Sequence, residues 1–318
     1  MTYEKIQTKS ALHKLAKKRL PYDWDLNIYR GCIHRCVYCY ALYSHQYFAD
    51  RETRSLSTLT GERDRVSDTS FFDKVYVKEN IAEILDKEFS APKWKGEIVN
   101  IGGVTDSYQE CEADFQIMRD VLKVFIKHKN PLIISTKSDL ILRDLDLISE
   151  LAKHTYVNIA TTITTVNENI RKLIEPRAKP TKDRFRVLAE FSKTKASTGL
   201  HMMPILPFIT DTRENIEEIF RQGKNANVTY VLTGTLNLVG HTKQNYLNFI
   251  KNNFNHHYPA YLELYRDWQV KKEYNSRVYP MIHELKRKYG LNSSYMKPIK
   301  ERLSLSASGG NKGQGRLF

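Results

Sequence analysis

Cysteine is scarce in this chain, four among 318 residues. That scarcity excludes a disulfide framework and suits a reducing compartment, the cytoplasm. Long apolar runs are missing too, so no segment is expected to span a bilayer. The first ten residues, Met1-Thr-Tyr-Glu-Lys-Ile-Gln-Thr-Lys-Ser10, lack the apolar centre of a secretion signal. Negative charge is short: 50 Lys and Arg stand against 36 Asp and Glu. The excess is segregated. Residues 1–30 carry seven basic against three acidic side chains, residues 241–318 fourteen against five, and residues 31–240 balance at 29 against 28. Basic arms around a neutral centre suit a polyanion such as nucleic acid, although Lys-rich helices with a merely solvated face give the same count.

Three of the four cysteines, Cys32, Cys36 and Cys39, fall within eight residues in the spacing C-x3-C-x2-C. Iron–sulfur clusters are held by thiolates, and a [4Fe–4S] cube ordinarily takes four. A loop that supplies three leaves one iron open to a further ligand. Zinc held by the three thiolates and His34 or His45 is the rival, although structural zinc sites usually draw on two separated pairs. A disulfide would leave one of the three thiols odd. With only Cys111 outside the triad, the chain has no ligand set for an auxiliary cluster.

From residue 25 the pattern alternates between short apolar or β-branched runs and helical periodicity, which argues for a parallel sheet. Strands are predicted over 25–29, 97–102, 131–136, 156–163, 199–206 and 228–234, with helices near 79–89, 113–128, 139–153, 181–194 and 212–225. Six such β/α units make an α/β barrel, in which sites form at the C-terminal ends of strands. The cysteine loop follows the first strand, Gly102-Gly103 closes the second, and Thr136-Lys137 closes the third. Residues 41–78 are polar, and form an ordered flap or a mobile loop. The expected division is a basic N-terminal arm over 1–24, a core over 25–238, a helical basic extension over 239–304 and a flexible tail over 305–318. The extension is rich in rings: Tyr258, Tyr261, Tyr265, Trp268, Tyr274, Tyr279 and Tyr289. Core packing is the plain reading of most, and base stacking the functional one.

With Tyr38 in the aromatic place, the cysteine run resembles the signature of the radical S-adenosylmethionine (SAM) superfamily. Tyr29-Arg-Gly-Cys32, Cys36-Val-Tyr-Cys-Tyr-Ala41, Gly102-Gly-Val-Thr-Asp-Ser-Tyr-Gln109, Ser135-Thr-Lys-Ser138, Leu142-Arg-Asp-Leu145, Glu175-Pro-Arg177 and Pro204-Ile-Leu-Pro207 with Asp211 resemble the branch of spore photoproduct lyase and its relatives, often called DNA repair photolyases. The resemblance covers about residues 25–235. It implies a partial (β/α)6 TIM-type barrel, here with a helical, basic C-terminal extension. It also implies a [4Fe–4S] cluster on Cys32, Cys36 and Cys39, SAM on the open iron, and reductive cleavage of SAM to a 5′-deoxyadenosyl radical. An electron donor such as flavodoxin or ferredoxin is implied with them. The expected activity is lyase-like, on a DNA lesion or modified base. Radical modification of RNA or of a protein side chain is one alternative, and a non-catalytic, metal-stabilised nucleic-acid-binding module is another.

Individual roles follow from the resemblance. Tyr38 is expected beside the cluster and adenine. Gly102 and Gly103 would let backbone approach the methionine amino group, and Lys137 would meet the SAM carboxylate. Thr105, Asp106, Thr162 and Thr164 are candidates for the ribose. Arg177 is expected to pair a local carboxylate. Tyr40 would take part in returning hydrogen to the substrate. Aligning the donor-cysteine segment of the lyases with Thr105-Asp106-Ser107 puts Val104 where the donor thiol would stand. Cys111 is the candidate for a relocated donor, and a small buried hydrophobe otherwise. The terminal Gln314-Gly-Arg-Leu-Phe318 resembles the Gln-x-x-Leu-Phe peptide by which bacterial DNA enzymes dock the replication sliding clamp.

Overall fold

The computed structural model describes residues 1–15, 20–42 and 70–308. Its strands are β1 (Thr2–Ile6), β2 (Leu12–Lys14), β3 (Trp24–Leu26), β4 (Tyr29–Arg30), β5 (Lys74–Lys78), β6 (Val99–Ile101), β7 (Leu132–Thr136), β8 (Val157–Thr162), β9 (Ser197–Ile205) and β10 (Tyr230–Thr235). Strands β3, β6, β7, β8, β9 and β10 lie side by side in that order, all parallel. This is the expected partial (β/α)6 barrel. Strand β2 adds one antiparallel neighbour at the β3 edge.

The strands are not apolar on both faces. Val99, Ile101, Leu132, Ile134, Val157 and Ile159 are buried against helices Ile81–Ser90, Ile117–His128 and Leu145–His154, in one cluster with Leu85, Val121, Phe125, Ile148 and Leu151. Full burial of each such side chain stabilises the fold by about 1.5–3 kcal/mol. Alternation along the strands puts Asp25, Asn100, Ser135, Asn158, Ala160, Gly199 and His201 on the opposite, inner face. Apart from Ile133, which lies between Asn100 and Asn158, these positions are polar or small, which leaves a lumen fit for a polar ligand. On the far side, Leu200, Met202 and Val231 pack with Ile216, Phe220, Val278, Ile282 and Leu285 from helices Arg213–Asn225 and Lys272–Tyr289.

Several boundaries differ from the sequence reading. The first expected strand breaks in two, because β4 leaves the barrel to pair antiparallel with β5, which also pairs in parallel with β1. Within the basic arm, β1 and β2 are both sheet members. Helix Glu168–Ile174 was not foreseen, and the Asn167 side chain caps it by accepting from the Asn169 and Ile170 amides at 3.0 and 3.1 Å. The last helix, Met296–Ser308, runs past the expected boundary at 304. Most of the anticipated flap, residues 43–69, lies outside the described residues, as does the peptide 314–318.

The extension completes the barrel. The β10 edge is covered where the Val231 amide donates to Asn292 O at 2.7 Å and Lys286 Nζ donates to Val231 O at 3.0 Å. Ile299 packs with Ile98, Ile133 and Tyr156 under the N-terminal ends of the strands. Of the extension rings named above, Tyr261, Tyr265 and Tyr274 are buried core, whereas Trp268 is 51% exposed.

Candidate active site at the barrel mouth

The loop after β4 carries the three cysteines, and its first turn depends on Gly31. With φ +90°, a Cβ at Gly31 would lie 2.2 Å from Lys74 O, so only glycine lets the loop settle on that backbone. Four parts of the fold then fasten it. The Cys32 amide donates to Phe71 O at 3.0 Å, and the Val37 amide to Ile174 O at 3.0 Å. Thr105 Oγ1 donates to Gly31 O at 2.6 Å, while Gln109 Oε1 accepts from the Ile33 amide at 3.0 Å. Thr242 Oγ1, from the helical extension, donates to Cys39 O at 2.9 Å.

All three thiols are free, Cys36 buried and the other two half-buried. Burial pushes each up to about 12, and the Cys32, Cys36 and Cys39 sulfurs are near enough to raise one another. Thiolates gathered in such a place need a cationic centre to offset their charge, which a metal cluster supplies. The zinc rival loses one of its two candidate histidines: His34 Nε2 lies 2.9 Å from Asp106 Oδ2 and Nδ1 lies 3.3 Å from Arg177 O, so both ring nitrogens are engaged, while His45 lies outside the described residues. Among the described residues, no three His, Cys, Asp or Glu side chains converge as a single metal ion requires. Ligands of a cluster bind different irons and stand farther apart.

Asp106 joins this loop to the strand ends. Besides His34, its Oδ2 accepts from the Lys137 amide at 2.7 Å, and its Oδ1 accepts from the Tyr108 amide at 2.9 Å and Thr136 Oγ1 at 2.8 Å. Burial alone would raise its pKa, but His34 and these amides outweigh burial and hold the carboxyl at about 2. Thr105 and Asp106 thus have their oxygens turned to the cysteine loop and strand β7, not to an open ribose site.

Lys137 is where the strand pattern placed it. Burial lowers its affinity for a proton, yet Cys36 and Glu175 outweigh that and keep the ammonium charged. Its Nζ is 5.9 Å from the centre of the Tyr38 ring. Tyr38 is buried and its hydroxyl donates to Glu175 Oε1. Arg184 NH1 lies 2.5 Å from Glu175 Oε2 as an ion pair, and also donates to Thr162 O at 2.9 Å. The sequence reading gave the carboxylate partner as Arg177; that residue is exposed, its amide donating to His34 O at 3.3 Å. Arg184 was missed, although it shares the buried helical spacing of Thr181, Phe185 and Leu188.

The remaining candidates divide. Gly102 and Gly103 follow β6 at the mouth, and Tyr40, 63% exposed, donates its hydroxyl to Gly103 O. Val104 packs against the cluster of Ala41, Leu42 and Phe71, as do Cys32 and Cys39. Thr162 is half-buried at the end of β8, and Thr164 is buried with Oγ1 3.5 Å from Glu175 Oε1. Cys111 is 2% exposed and packed in the core with Tyr29, Tyr108 and Met118, and burial pushes its thiol up to about 12. That is the setting of a packed hydrophobe, so the geometry gives the donor role no support. His201, not singled out beforehand, sits near Lys137; burial first, then that charge, lowers it to about 4, so it is neutral at ordinary pH.

Three free thiols in one fastened loop, glycines at the next strand end and a charged lysine at the third fit a cluster and its SAM ligand. The fold resembles solved structures of spore photoproduct lyase. A mutant of that enzyme with bound AdoMet and dinucleoside spore photoproduct matches with TM-score 0.62 over 90% of this chain and 79% of that one, at 11% identity. An uncharacterized protein of Mycobacterium tuberculosis is 29% identical over 267 residues, 84% of this chain and 74% of that protein. Another, of Acidianus two-tailed virus, is 28% identical over 286 residues, covering 87% and 84%. A family model, Radical SAM superfamily, matches residues 26–235. The chain therefore belongs to the radical SAM superfamily, whose chemistry rests on a [4Fe–4S] cluster and SAM.

Proposed function

We propose that this protein is a radical SAM enzyme acting on nucleic acid, a DNA lesion or modified base. When bound, the cluster and SAM supply a 5′-deoxyadenosyl radical. Cys32, Cys36 and Cys39 hold the cluster, Gly102 and Gly103 give SAM backbone access, and Lys137 meets its carboxylate. Buried Glu175 and Arg184 fix Tyr38 behind the cluster loop. Tyr40 stands at the mouth as the candidate for hydrogen return. A reductant such as flavodoxin or ferredoxin delivers the electron, and the cytoplasm is the compartment.

The observation that carries the nucleic-acid reading is the rim of the mouth. Tyr40 and Trp268 are 63% and 51% exposed, and Val239 between them is 62% exposed. The segment around Val239 touches both neighbours: Thr242 bonds Cys39 O, and the Leu238 amide donates to Trp268 O at 2.7 Å. Trp268 stands in the region, residues 241–318, with fourteen basic against five acidic side chains. Exposed rings in a basic setting stack on unpaired bases, and a base would have to leave its duplex to reach the lumen. The likeness to spore photoproduct lyase, a fold-level likeness only, points the same way. The Gln314–Phe318 peptide is proposed to tether the enzyme to the sliding clamp.

The test is anaerobic. Reconstituted, reduced enzyme is incubated with SAM and UV-irradiated DNA, and nucleosides are analysed by mass. Altered lesion content is the expected result. SAM cleavage without any change in DNA, together with DNA binding indifferent to salt, would overturn the nucleic-acid assignment.

A further inference from the structure

Asp25 of β3 is a buried carboxylate, 5% exposed, at the lumen end of the glycine turn. Among the described residues no Lys, Arg or His lies within ion-pair distance of it. Lys78 Nζ is nearby but donates to Asn27 O at 2.7 Å. Two neutral amides satisfy Asp25 instead: Asn27 Nδ2 at 2.5 Å from Oδ2 and Asn100 Nδ2 at 2.7 Å from Oδ1. The same group defines the turn. A Cβ on Gly103 would lie 2.5 and 2.6 Å from the two Asp25 oxygens, so the carboxylate rests directly on the glycine backbone. Asn27 Oδ1 accepts from the Val104 amide at 3.0 Å, and the Gly102 amide donates to Leu26 O at 3.2 Å. Residues 102–104 are thus moulded onto β3 by Asp25 and its two amides.

The two oxygens each accept from one amide, and His13 and Lys78 act on them only at longer range. An ionised carboxylate buried with no ion-pair partner is costly, and such a group is expected to meet a cation that arrives later. SAM carries two positive groups on its methionine portion, the α-ammonium and the sulfonium. We propose that Asp25 is a positioning residue for SAM: it shapes the Gly102–Gly103 turn and supplies the negative charge that the cationic methionine portion meets there. This rests on the cofactor assignment and not on the nucleic-acid reading, so an inactive DNA assay would leave it standing.

Asp25→Asn keeps the volume and removes the charge, with the Asn100 amide turned to offer its oxygen to the new Nδ2. SAM affinity is measured by equilibrium binding to the reconstituted protein, together with the change that SAM makes in the electron paramagnetic resonance of the reduced cluster. The expected result is affinity weakened by about tenfold or more and a diminished spectral change, with iron content and unfolding midpoint as in the parent. Gly103→Ala approaches the same contact from the other side without altering β3, and is expected to weaken SAM binding while retaining iron. Affinity within about twofold of the parent in Asp25→Asn would overturn the proposal. So would iron lost in step with SAM affinity in both variants, since Asp25 would then be only structural.

Discussion

Replacing Asp106 by asparagine tests whether one carboxylate holds the cysteine loop to the strand ends. Its two oxygens accept four hydrogen bonds, from His34, Lys137, Tyr108 and Thr136. Asparagine keeps one accepting oxygen. Its Nδ2 must then face either the His34 ring and the Lys137 amide or the Tyr108 amide and the Thr136 hydroxyl; the hydroxyl and a neutral His34 can turn to accept, the two backbone amides cannot. At least one backbone donor is left buried and unpaired. Hydrogen bonds to charged groups are worth about 1.5–3 kcal/mol each, so losing one or two at one oxygen costs about 1.5–6 kcal/mol. That is a large share of the roughly 5–15 kcal/mol that holds a protein folded. The assay is urea unfolding of the reconstituted protein with iron and sulfide counted on the same sample. Both should fall, because the loop that ligates iron is the part released. A variant that unfolds within about 0.5 kcal/mol of the parent, with full iron, would refute the reasoning.

Arg184→Met strands the buried Glu175 carboxylate and should cost about 3–5 kcal/mol, whereas adding Glu175→Gln should recover much of it; a double-mutant cycle read by unfolding decides. His201 is held near 4 when folded and has an ordinary value near 6.5 when unfolded. Its contribution is present above 6.5 and is lost as pH falls through that window, so parent stability should drop between these values and the drop should shrink in His201→Gln. Trp268→Ala should weaken binding of single-stranded DNA by about 1–3 kcal/mol in a fluorescence titration while SAM cleavage without DNA is unchanged.

The barrel was legible because short apolar or β-branched runs alternate with helical periodicity, and the cysteine loop because ligand spacing is local. Lys137 was legible as a charge ending an apolar strand. The rest depended on contacts distant in sequence. His34 and Asp106 stand 72 residues apart and meet only when β4 and β6 deliver their loops to one place. Arg184 and Arg186 look alike in the sequence, yet the first faces Glu175 in the core and the second pairs with Asp139 at the surface. Helical phase separates them, and phase was the signal available. Asp25 had no local mark, since its meaning lies in the glycine turn folded against it.

The covered edge of β10 bears on how the chain is made. Synthesis runs from the N-terminus, and completed segments fold while later ones are still being added. Strand β10 is finished at Thr235, but the groups that occupy its outer edge, Lys286 and Asn292, are translated much later. Until they emerge, the nascent barrel presents an unpaired edge of the kind that recruits other strands. The order of translation thus makes the extension a resident chaperone for the domain before it, quite apart from anything it does to a substrate.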